Sequence, residues 1–386
     1  MSNDAKKIII ISPAFPYRGG IAATSDRLAK AYMLRGVEVE IWTYKLLYPK
    51  VLFPGKSQFL DPDKHAPPKN ICIKRKISTI NPFNWLRIGR QLKKAAPDQV
   101  IIRYWLPFLG PSLGTILRIA KRPESQFTGL IDNVIPHEKR PGDDVLSRYF
   151  YKRLNGFLVM ARKGIIDLKE RFNITENVCY SPHPIFDIYG APVDQKEALK
   201  HLKLDPAFRY ILSFGLIRKY KGLDWLIEAF ATFSKTQPHY KLIIAGECYD
   251  NWSDYQELID QYELQDKIIH FDQFIPDQEV KYYFSAADFL ALTYKTATQS
   301  GVTQIAYSMN LPILVTNVGA LAEMVPDGRV GIVTSPKVSA IVESLKKMAQ
   351  PKQLPAYKKG IQDEKKRFEW KMLCDNLDAL AQRKSQ

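Results

Sequence analysis

Short apolar runs alternate with amphipathic helical segments along most of this chain, and this alternation constrains the fold more than any other sequence feature. The pattern starts with an apolar run at 7–12, a glycine loop, a helical pattern over 21–35 and a second apolar run at 38–44. Strand, helix and strand in this order form a βαβ unit, which implies a parallel sheet with right-handed crossovers. Further predicted strands of the first half are 99–104, 127–131, 156–160 and 177–180. Residues 45–80, rich in proline and lysine, are predicted to be an irregular excursion.

The second half repeats this plan after a stretch at 183–198 that combines prolines, a glycine and charged residues. The predicted strands are 209–215, 240–246, 267–271, 288–292, 312–316 and 331–334, and the predicted helices are 223–234, 253–262, 277–286 and 302–309. The fold class is therefore α/β, with two doubly wound Rossmann-like domains that face a cleft. We place the domains at 1–188 and 189–367, and a final helix at 368–386 is expected to pack back toward the N-terminal domain.

Size and composition agree with two globular domains and with a cytoplasmic location. A chain of 386 residues is too long for one ordinary core, and a hydrophobic content of 46 % excludes a mostly disordered chain. No stretch approaches twenty apolar residues, and the first residues lack a secretory pattern. The four cysteines lie far apart, without disulfide or metal-ligand spacing, which is typical of a reducing cytosol.

The positive charge lies almost entirely in the first half. Residues 1–190 carry 31 basic and 16 acidic side chains, a balance of 31 − 16 = +15, whereas residues 191–386 carry 25 and 24, a balance of +1. Such asymmetry indicates an anionic partner: nucleic acid, acidic lipid or phosphate. Nucleic acid is disfavoured, because no zinc finger, RNP-type strand or basic–aromatic repeat is present.

A basic amphipathic helix is predicted over 84–94, with Asn84 as its N-cap. Its apolar residues recur at helical spacing and its basic residues lie on other faces: Trp85, Ile88 and Leu92 against Arg87, Arg90 and Lys94. Two interpretations stay open. The helix lies on an anionic membrane surface, or its apolar stripe packs against its own sheet.

The most informative segment runs from Ser213 to Asp224. It leaves a predicted strand, turns at Gly215 and presents Arg218 and Lys221 just before a helix. A diphosphate needs this combination of cations, glycine backbone for close approach and positive charge for a leaving group. The alternative is a solvated basic turn.

A second segment opens the helix at 302–309. Its small, amide and hydroxyl residues are Thr298, Gln299, Ser300, Gly301, Val302 and Gln304. Free N–H groups at a helix start bind anions, although serine and threonine there also act as plain caps.

Several motifs, in one order, resemble retaining glycosyltransferases of the GT-B fold, specifically glycosyltransferase family 4 of the group 1 type. They stand at Phe214–Ala229, Ala245–Glu247, Phe274–Asp288 and Leu311–Gly328. The resemblance covers nearly the whole chain and is strongest from 210 to 330. It implies that the domain at 1–188 binds the acceptor and the domain at 189–367 binds the nucleotide sugar.

The resemblance also implies roles for single residues. Arg218 and Lys221 would bind the donor diphosphate and act in catalysis, and the backbone at Phe274 and Ile275 would contact the base. For the N-terminal domain, the resemblance implies that Gly19 and Gly20 lie near the donor phosphates and that His137 and Glu138 form a catalytic pair. The sequence departs from the family where two glutamates are usual, since Ala297 and Ile305 occupy those positions. Gln304 lies one residue before the second of these positions and is expected to replace the missing glutamate in the contact to the ribose.

The resemblance implies a hexosyltransferase that retains configuration by same-face attack. It is expected to be metal-independent and without a cofactor, since no Asp-x-Asp pair stands at a strand end. The donor would be a UDP- or GDP-sugar, and the acceptor a glycan or lipid-linked sugar of surface polysaccharide or lipopolysaccharide biosynthesis. Its basic N-terminal domain would hold it on the inner face of the cell membrane. The alternatives are a non-catalytic GT-B binding or scaffolding module, motivated by the missing glutamates, and a sugar-nucleotide epimerase.

Overall fold

The structure is a computed structural model that describes residues 6–49, 58–60, 66–136, 140–297 and 300–382. The chain divides into two compact units. The first comprises Met1–Pro182 and Trp370–Gln386, and the second comprises His183–Glu369. This division lies close to the predicted one, and the acceptor and donor roles of the two units stay predictions.

The first unit is built on a parallel sheet. Its strands are β1 (Lys7–Ile11), β2 (Glu38–Leu46), β3 (Cys72–Ser78), β4 (Gln99–Tyr104), β5 (Phe127–Ile131), β6 (Gly156–Val159) and β7 (Val178–Tyr180). Its helices before the unit boundary are α1 (Gly20–Met33), α2 (Pro82–Ala95), α3 (Gly110–Ala120), α4 (Asp143–Tyr151) and α5 (Arg162–Phe172). Over the described residues the strand order is β3-β2-β1-β4-β5-β6-β7. The order reverses between β1 and β4, and ligands of such folds bind beyond the carboxyl ends of the strands at this point.

The second unit repeats the arrangement. Its strands are β8 (Arg209–Phe214), β9 (Tyr240–Ala245), β10 (Ile268–Phe271), β11 (Phe289–Leu292), β12 (Ile313–Thr316) and β13 (Gly331–Thr334). Its helices are α6 (Gln195–His201), α7 (Leu223–Thr236), α8 (Trp252–Gln261), α9 (Asp277–Ala286), α10 (Gly301–Ser308), α11 (Leu321–Met324), α12 (Val338–Met348) and α13 (Gln353–Glu364). The described strands follow the order β10-β9-β8-β11-β12-β13. The switch point therefore lies between β8 and β11, the two strands that lead into the predicted donor motifs.

The prediction of an irregular excursion over 45–80 was wrong at its end, where β3 forms at Cys72–Ser78. In the described part of the chain this strand pairs with β2 alone and forms an edge of the sheet. An edge strand has one neighbour and tolerates exposed lysines, so its sequence, CIKRKIS, lacks the continuous apolar run of a central strand.

The predicted cap of α2 was also wrong. Asn81, not Asn84, is the N-cap, and its side chain accepts from the backbone N–H of Asn84 at 3.1 Å. Asn84 instead connects α2 to β3. Its Oδ1 accepts from the N–H of Ser78 at 2.8 Å, and its Nδ2 donates to the carbonyl of Lys76 at 2.9 Å.

The apolar stripe of α2 packs inside its own unit. Ile88 and Leu92 are 0 % and 1 % exposed. Gly89 permits a close approach to α3, since an added Cβ would lie 2.7 Å from the Cβ of Ile119. The stripe residues Ile88 and Leu92 are therefore not available to a membrane, whereas the basic residues of the helix and Phe83 in its first turn are exposed. Within the described residues, no helix combines the length and apolar character needed to cross a bilayer.

The predicted final helix is α14 (Trp370–Gln382), which belongs to the first unit. The Tyr32 hydroxyl of α1 donates to the carbonyl of Cys374 at 3.3 Å. The Lys6 ammonium pairs with Asp378 at 2.7 Å. These bonds fix α14 against the first sheet.

Candidate functional site

The loop after β8 turns at glycine because two backbone segments approach closely there. Gly215 has φ of +96°, and its N–H donates to the carbonyl of Ala245 at 2.9 Å. An added Cβ at Gly246, which follows β9, would lie 2.2 Å from the carbonyl oxygen of Gly215. The absence of a side chain at Gly246 therefore lets the backbone after β8 and the backbone after β9 lie this close together, and Gly215 supplies the positive φ of the turn.

A 3₁₀ turn over Lys219–Lys221 leads into α7 through Gly222. Gly222 has φ of +65°, and an added Cβ would lie 2.1 Å from the carbonyl oxygen of Thr293, which follows β11. The Thr293 hydroxyl donates to the Gly222 carbonyl at 2.8 Å. This bond holds the cationic loop against the segment after β11, at the switch point of the sheet.

The Lys221 ammonium lies beside the turn. An added Cβ at Gly215 would lie 3.3 Å from Lys221 Nζ and 3.6 Å from Val302 Cγ2. The structure therefore brings Val302 close to Gly215 and Lys221, although a long stretch of sequence separates it from them. The ammonium also lies 5.6 Å from the centre of the Tyr294 ring.

Lys221 is half-buried, and among the described residues its ammonium has no ion-pair or hydrogen-bond partner. Burial lowers the pKa of Lys221 from its ordinary value, and the nearby Arg218 guanidinium lowers it further. A positive charge in this position is destabilised in the free protein. An anion beside it would relieve that cost.

Arg218 precedes the 3₁₀ turn and is also without a carboxylate partner in the described part of the chain. Its guanidinium lies 5.1 Å from the centre of the Tyr249 ring. The neighbouring cations differ, because Lys219 pairs with Asp254 at 3.5 Å and Lys295 with Asp224 at 2.5 Å. Arg218 and Lys221 are thus the cations of this loop left for a ligand.

A cavity of about 20 Å³ lies under the loop and is lined by Gly215, Lys221 and Tyr294 among others. The Tyr294 hydroxyl hydrogen-bonds with the Ser300 hydroxyl at 3.2 Å. Burial raises the pKa of Tyr294 to about 12, so its hydroxyl stays protonated at neutral pH. Sequence reasoning missed Tyr294, whose only signal is its place two residues after a buried strand.

The start of α10 is shaped by packing as well as by capping. The Ser300 side chain accepts from the N–H of Val302 at 3.3 Å, so Ser300 acts as the cap. An added Cβ at Gly301 would lie 2.5 Å from the Phe186 ring. Gly301 therefore lets the helix start approach this ring. Thr298 and Gln299, two of the predicted donor-binding residues, lie outside the described residues.

Gln304, the residue predicted to contact the ribose, is buried inside the second unit. Its side chain is fully buried, and Nε2 donates to the sulfur of Met324 at 3.0 Å. Its Oε1 has no hydrogen-bond partner in the described residues. Ile305, at one missing glutamate position, is buried in the core of the unit.

The predicted base-binding segment follows β10. Ile275 is buried in the core of the second unit, whereas the Phe274 ring is 44 % exposed. The side chain of Ile275 is committed to packing. A contact to a base at this residue would therefore use its backbone, as predicted.

In the first unit, Gly19 and Gly20 are exposed between β1 and α1. Gly19 has φ of +105°, and an added Cβ there would meet nothing within 4 Å. The glycine is therefore required by its backbone angle and not by a close neighbour. His137 and Glu138, the predicted catalytic pair, lie outside the described residues.

Sequence reasoning missed a buried ion pair at the carboxyl ends of β4 and β5. The Arg103 guanidinium donates to both carboxylate oxygens of Asp132, at 2.8 and 2.7 Å, and to the hydroxyl of Thr24 at 2.5 Å. A charged residue inside the apolar strand QVIIRY is the signal that could have revealed it. The pair fixes α1, which begins at the glycine loop, against the strand ends.

Among the described residues, no group of three or more His, Cys, Asp and Glu side chains is arranged to hold a metal ion. Metal independence and the absence of a cofactor stay predictions.

Comparison with known proteins bears on the second unit above all. Residues 208–350 match the family model described as glycosyl transferases group 1. The predicted recognition is confirmed at this level, and the narrower family 4 assignment stays a prediction.

Two curated relatives match parts of the chain. The lipopolysaccharide core biosynthesis mannosyltransferase LpsB of Rhizobium meliloti (strain 1021) is 29 % identical over 147 residues, which are 36 % of this chain and 40 % of LpsB. The alpha-monoglucosyldiacylglycerol synthase of Acholeplasma laidlawii is 34 % identical over 117 residues, 30 % of this chain and 29 % of the synthase. The chain thus spans less than half the length of each relative.

The fold matches over almost the full length. The Anabaena protein Alr3699/HepE, solved in complex with UDP, has a TM-score of 0.72 at 14 % identity, covering 97 % of this chain and 100 % of HepE. Together with the two parallel sheets, this likeness confirms the α/β GT-B fold predicted from the sequence.

Proposed function

We propose that this chain, whose residues 208–350 belong to the glycosyl transferases group 1, is an active, retaining hexosyltransferase that uses a nucleotide-diphosphate sugar. One observation carries the proposal. Arg218 and Lys221, at the switch point of the second sheet, have no carboxylate partner in the described residues, and the Lys221 ammonium lies beside the turn at Gly215.

Sugar transfer breaks the bond between the anomeric carbon and the donor diphosphate. Negative charge then develops on the departing phosphate, and positive character develops on the sugar ring. Arg218 and Lys221 would stabilise the departing charge, and N–H groups at the start of α10 would assist them. Fixed cations of this kind can take the place of a divalent metal, so the proposed reaction is metal-independent and needs no cofactor.

The stereochemical outcome proposed is retention, with attack by the acceptor hydroxyl on the face that the diphosphate leaves. The family resemblance supports this part of the proposal. The same resemblance implies that His137 and Glu138 act in catalysis and that Gly19 and Gly20 belong to the glycine loop of the donor phosphates and the acceptor.

The names of the relatives support a donor and acceptor class. LpsB is a mannosyltransferase of lipopolysaccharide core biosynthesis, the Acholeplasma enzyme is a glycolipid synthase by name, and HepE binds UDP. We therefore infer a UDP- or GDP-sugar donor and a glycan or lipid-linked acceptor of surface polysaccharide assembly. The enzyme would work in the cytoplasm, on the inner face of the membrane.

Calorimetry with UDP, GDP and ADP, followed by donor hydrolysis with the matching nucleotide sugars, tests the proposal. One nucleotide is expected to bind, and Arg218→Ala should weaken this binding about tenfold, as loss of a charge-assisted hydrogen bond does. Lys219→Ala removes an equal charge from the same turn and is the matched control.

Full hydrolytic activity in Arg218→Ala would contradict the assignment. Failure of all three nucleotides to bind would favour the non-catalytic module. Conversion of the donor sugar to its epimer, with no nucleotide released, would favour the epimerase.

A further inference from the structure

A strongly basic groove lies in the first unit, where β2 and β3 end and α2 begins. It has a volume of about 1020 Å³, and its lining includes four cations: Lys45, Arg75, Lys76 and Arg87. No aspartate or glutamate of the described chain lines it. The groove is large enough for a ligand well beyond a single phosphate, since small-molecule pockets commonly measure about 300–1,000 Å³.

The charge of the groove is not neutralised from within. The Lys76 ammonium lies 3.8 Å from the centre of the Trp42 ring and donates to the side-chain oxygen of Gln91 at 3.1 Å, and both partners are neutral. Burial lowers the pKa of Lys76, and the positive charges of Lys74 and Arg87 lower it further.

The other three cations of the groove also lack a carboxylate partner among the described residues. Among the described residues, Lys45 and Arg87 are exposed and have no ion pair. Arg75 donates from Nε to the carbonyl of Tyr44 at 3.5 Å. The carboxylate nearby, Glu40, is engaged by Lys74 at 2.9 Å.

The floor of the groove is ordered by hydrogen bonds between strand and helix. Asn84 accepts from Ser78 and donates to Lys76, as described above. The Trp85 indole N–H donates to the Ser78 carbonyl at 2.6 Å. These bonds fix the helix start against β3, so the cations are presented from a rigid frame.

Apolar surface adjoins the charge. Phe83, in the groove lining, is 83 % exposed, and nearby Ile80 is 50 % exposed. A ligand that has both an anionic and an apolar part would contact both the cations and Phe83 of this groove. The stripe of α2 itself is buried, which favours a ligand site over insertion of this helix into a membrane.

We propose that this groove binds the phosphate group of a phosphorylated acceptor, with Lys45, Lys76 and Arg87 on its oxygens and Phe83 against the adjoining part of the molecule. That the phosphate belongs to an acceptor rests on the function proposed above. The chemistry of the site, an oxyanion held by unneutralised cations, does not.

Binding of inorganic pyrophosphate to the full chain tests the proposal. The loop that carries Arg218 and Lys221 is itself proposed to bind diphosphates, so the comparison is made in the Arg218→Gln/Lys221→Gln background. Loss of UDP binding in that background tests the proposed donor site separately. The groove variant is Lys45→Gln/Arg87→Gln. The control is Arg90→Gln/Lys93→Gln, which removes the same charge from exposed residues of α2 outside the groove.

The groove variant is expected to weaken pyrophosphate binding about tenfold, since exposed charge contacts contribute up to about 1 kcal/mol each and 1.4 kcal/mol is a factor of ten. The control should change it less than about twofold. Protection from thermal unfolding by pyrophosphate, measured on the same variants, gives a second readout, and all four residues are exposed, so the fold should persist.

Equal effects of the groove and control variants would overturn the proposal, because the binding would then follow net charge alone. A second arm uses vesicles of phosphatidylglycerol with phosphatidylcholine. If the chain binds these vesicles through Lys45 and Arg87 but does not bind pyrophosphate, the groove is a membrane contact and the acceptor proposal fails.

Discussion

Replacing Lys221 with methionine is expected to reduce catalysis while leaving the folded protein as stable as before, or more stable. Methionine keeps the length and apolar contacts of the lysine stem and removes only the ammonium. In the free protein this ammonium is half-buried, with no ion-pair or hydrogen-bond partner among the described residues. Removing a charge of this kind removes a desolvation cost and leaves no buried carboxylate unpaired.

The expected magnitudes follow from the same geometry. A hydrogen bond to a charged group contributes about 1.5–3 kcal/mol, so the affinity for the nucleotide sugar should fall about 10- to 150-fold. If the ammonium acts on the departing diphosphate, kcat should fall by about 10² to 10³, as for a lost oxyanion donor. The apparent Tm should stay constant or rise by about 1–3 °C, which corresponds to roughly 1 kcal/mol in a chain of this size.

Lys219→Met is the matched control, since Lys219 occupies the same 3₁₀ turn, is exposed and pairs with Asp254 at 3.5 Å. An exposed pair contributes at most about 1 kcal/mol, and neither turnover nor Tm should change much. Donor hydrolysis at saturating and limiting nucleotide sugar, with calorimetric melting of both variants, measures these effects. Full turnover in Lys221→Met, or a fall in its Tm well beyond that of Lys219→Met, would refute the reasoning.

The lowered pKa of Lys221 adds a pH signature. The proposed active form is the protonated ammonium, so kcat/KM should fall as the pH rises through this lowered pKa. Lys221→Arg should move the fall to higher pH, because arginine does not titrate there. Stability should change in the opposite sense: between the lowered pKa and 10.5 the unfolded chain binds more protons, so stability rises with pH.

Three further predictions concern the packing around the site and one buried carboxyl. Gly222→Ala should destabilise the fold by more than about 2 kcal/mol and abolish donor binding, because its Cβ would lie 2.1 Å from the Thr293 carbonyl oxygen; melting and calorimetry measure both. Gly301→Ala should cost about 1–3 kcal/mol by overpacking against the Phe186 ring, and Phe186→Leu should recover most of it in a thermal melt; no recovery would exclude this ring as the cause. Burial raises the pKa of Asp26 to about 7, so the wild type should lose stability as the pH rises from about 4 to 7. Asp26→Asn should remove this slope and be more stable by about 1–3 kcal/mol at pH 8 in denaturant titrations, and an unchanged slope would contradict the assignment.

The sequence predicted the central strands well because both faces of a parallel sheet are buried. Such strands appear as continuous apolar runs, as in IIII at β1 and YILSF at β8, and no distant contact is needed to recognise them. β3 was missed because an edge strand can carry lysines on its exposed side. Its pairing with β2 is a long-range property that composition does not reveal.

The candidate site was predictable only where its chemistry is local. Arg218 and Lys221 lie in one short turn, so their spacing indicates their proximity. The contact between Gly301 and the Phe186 ring joins segments more than a hundred residues apart, and no local pattern predicts it. Gln304 shows the same limit, since helical position alone does not reveal that its amide faces Met324 in the core.

Cations that have a carboxylate partner can be distinguished in this chain from cations that have none, and this difference separates structural from functional charge. Lys219 lies in the same turn as Lys221, and Lys295 lies on the adjoining segment after β11. Each has a carboxylate partner, so carboxylates were within reach of this loop. Arg218 and Lys221 lack such a partner in the described residues, and burial makes that arrangement costly for Lys221. A fold gains nothing from an unpaired, half-buried cation unless a ligand supplies the missing charge. The same reasoning applies to the groove beside α2, where the Lys76 ammonium contacts neutral groups, and it supports the proposal that both places bind phosphate oxygens.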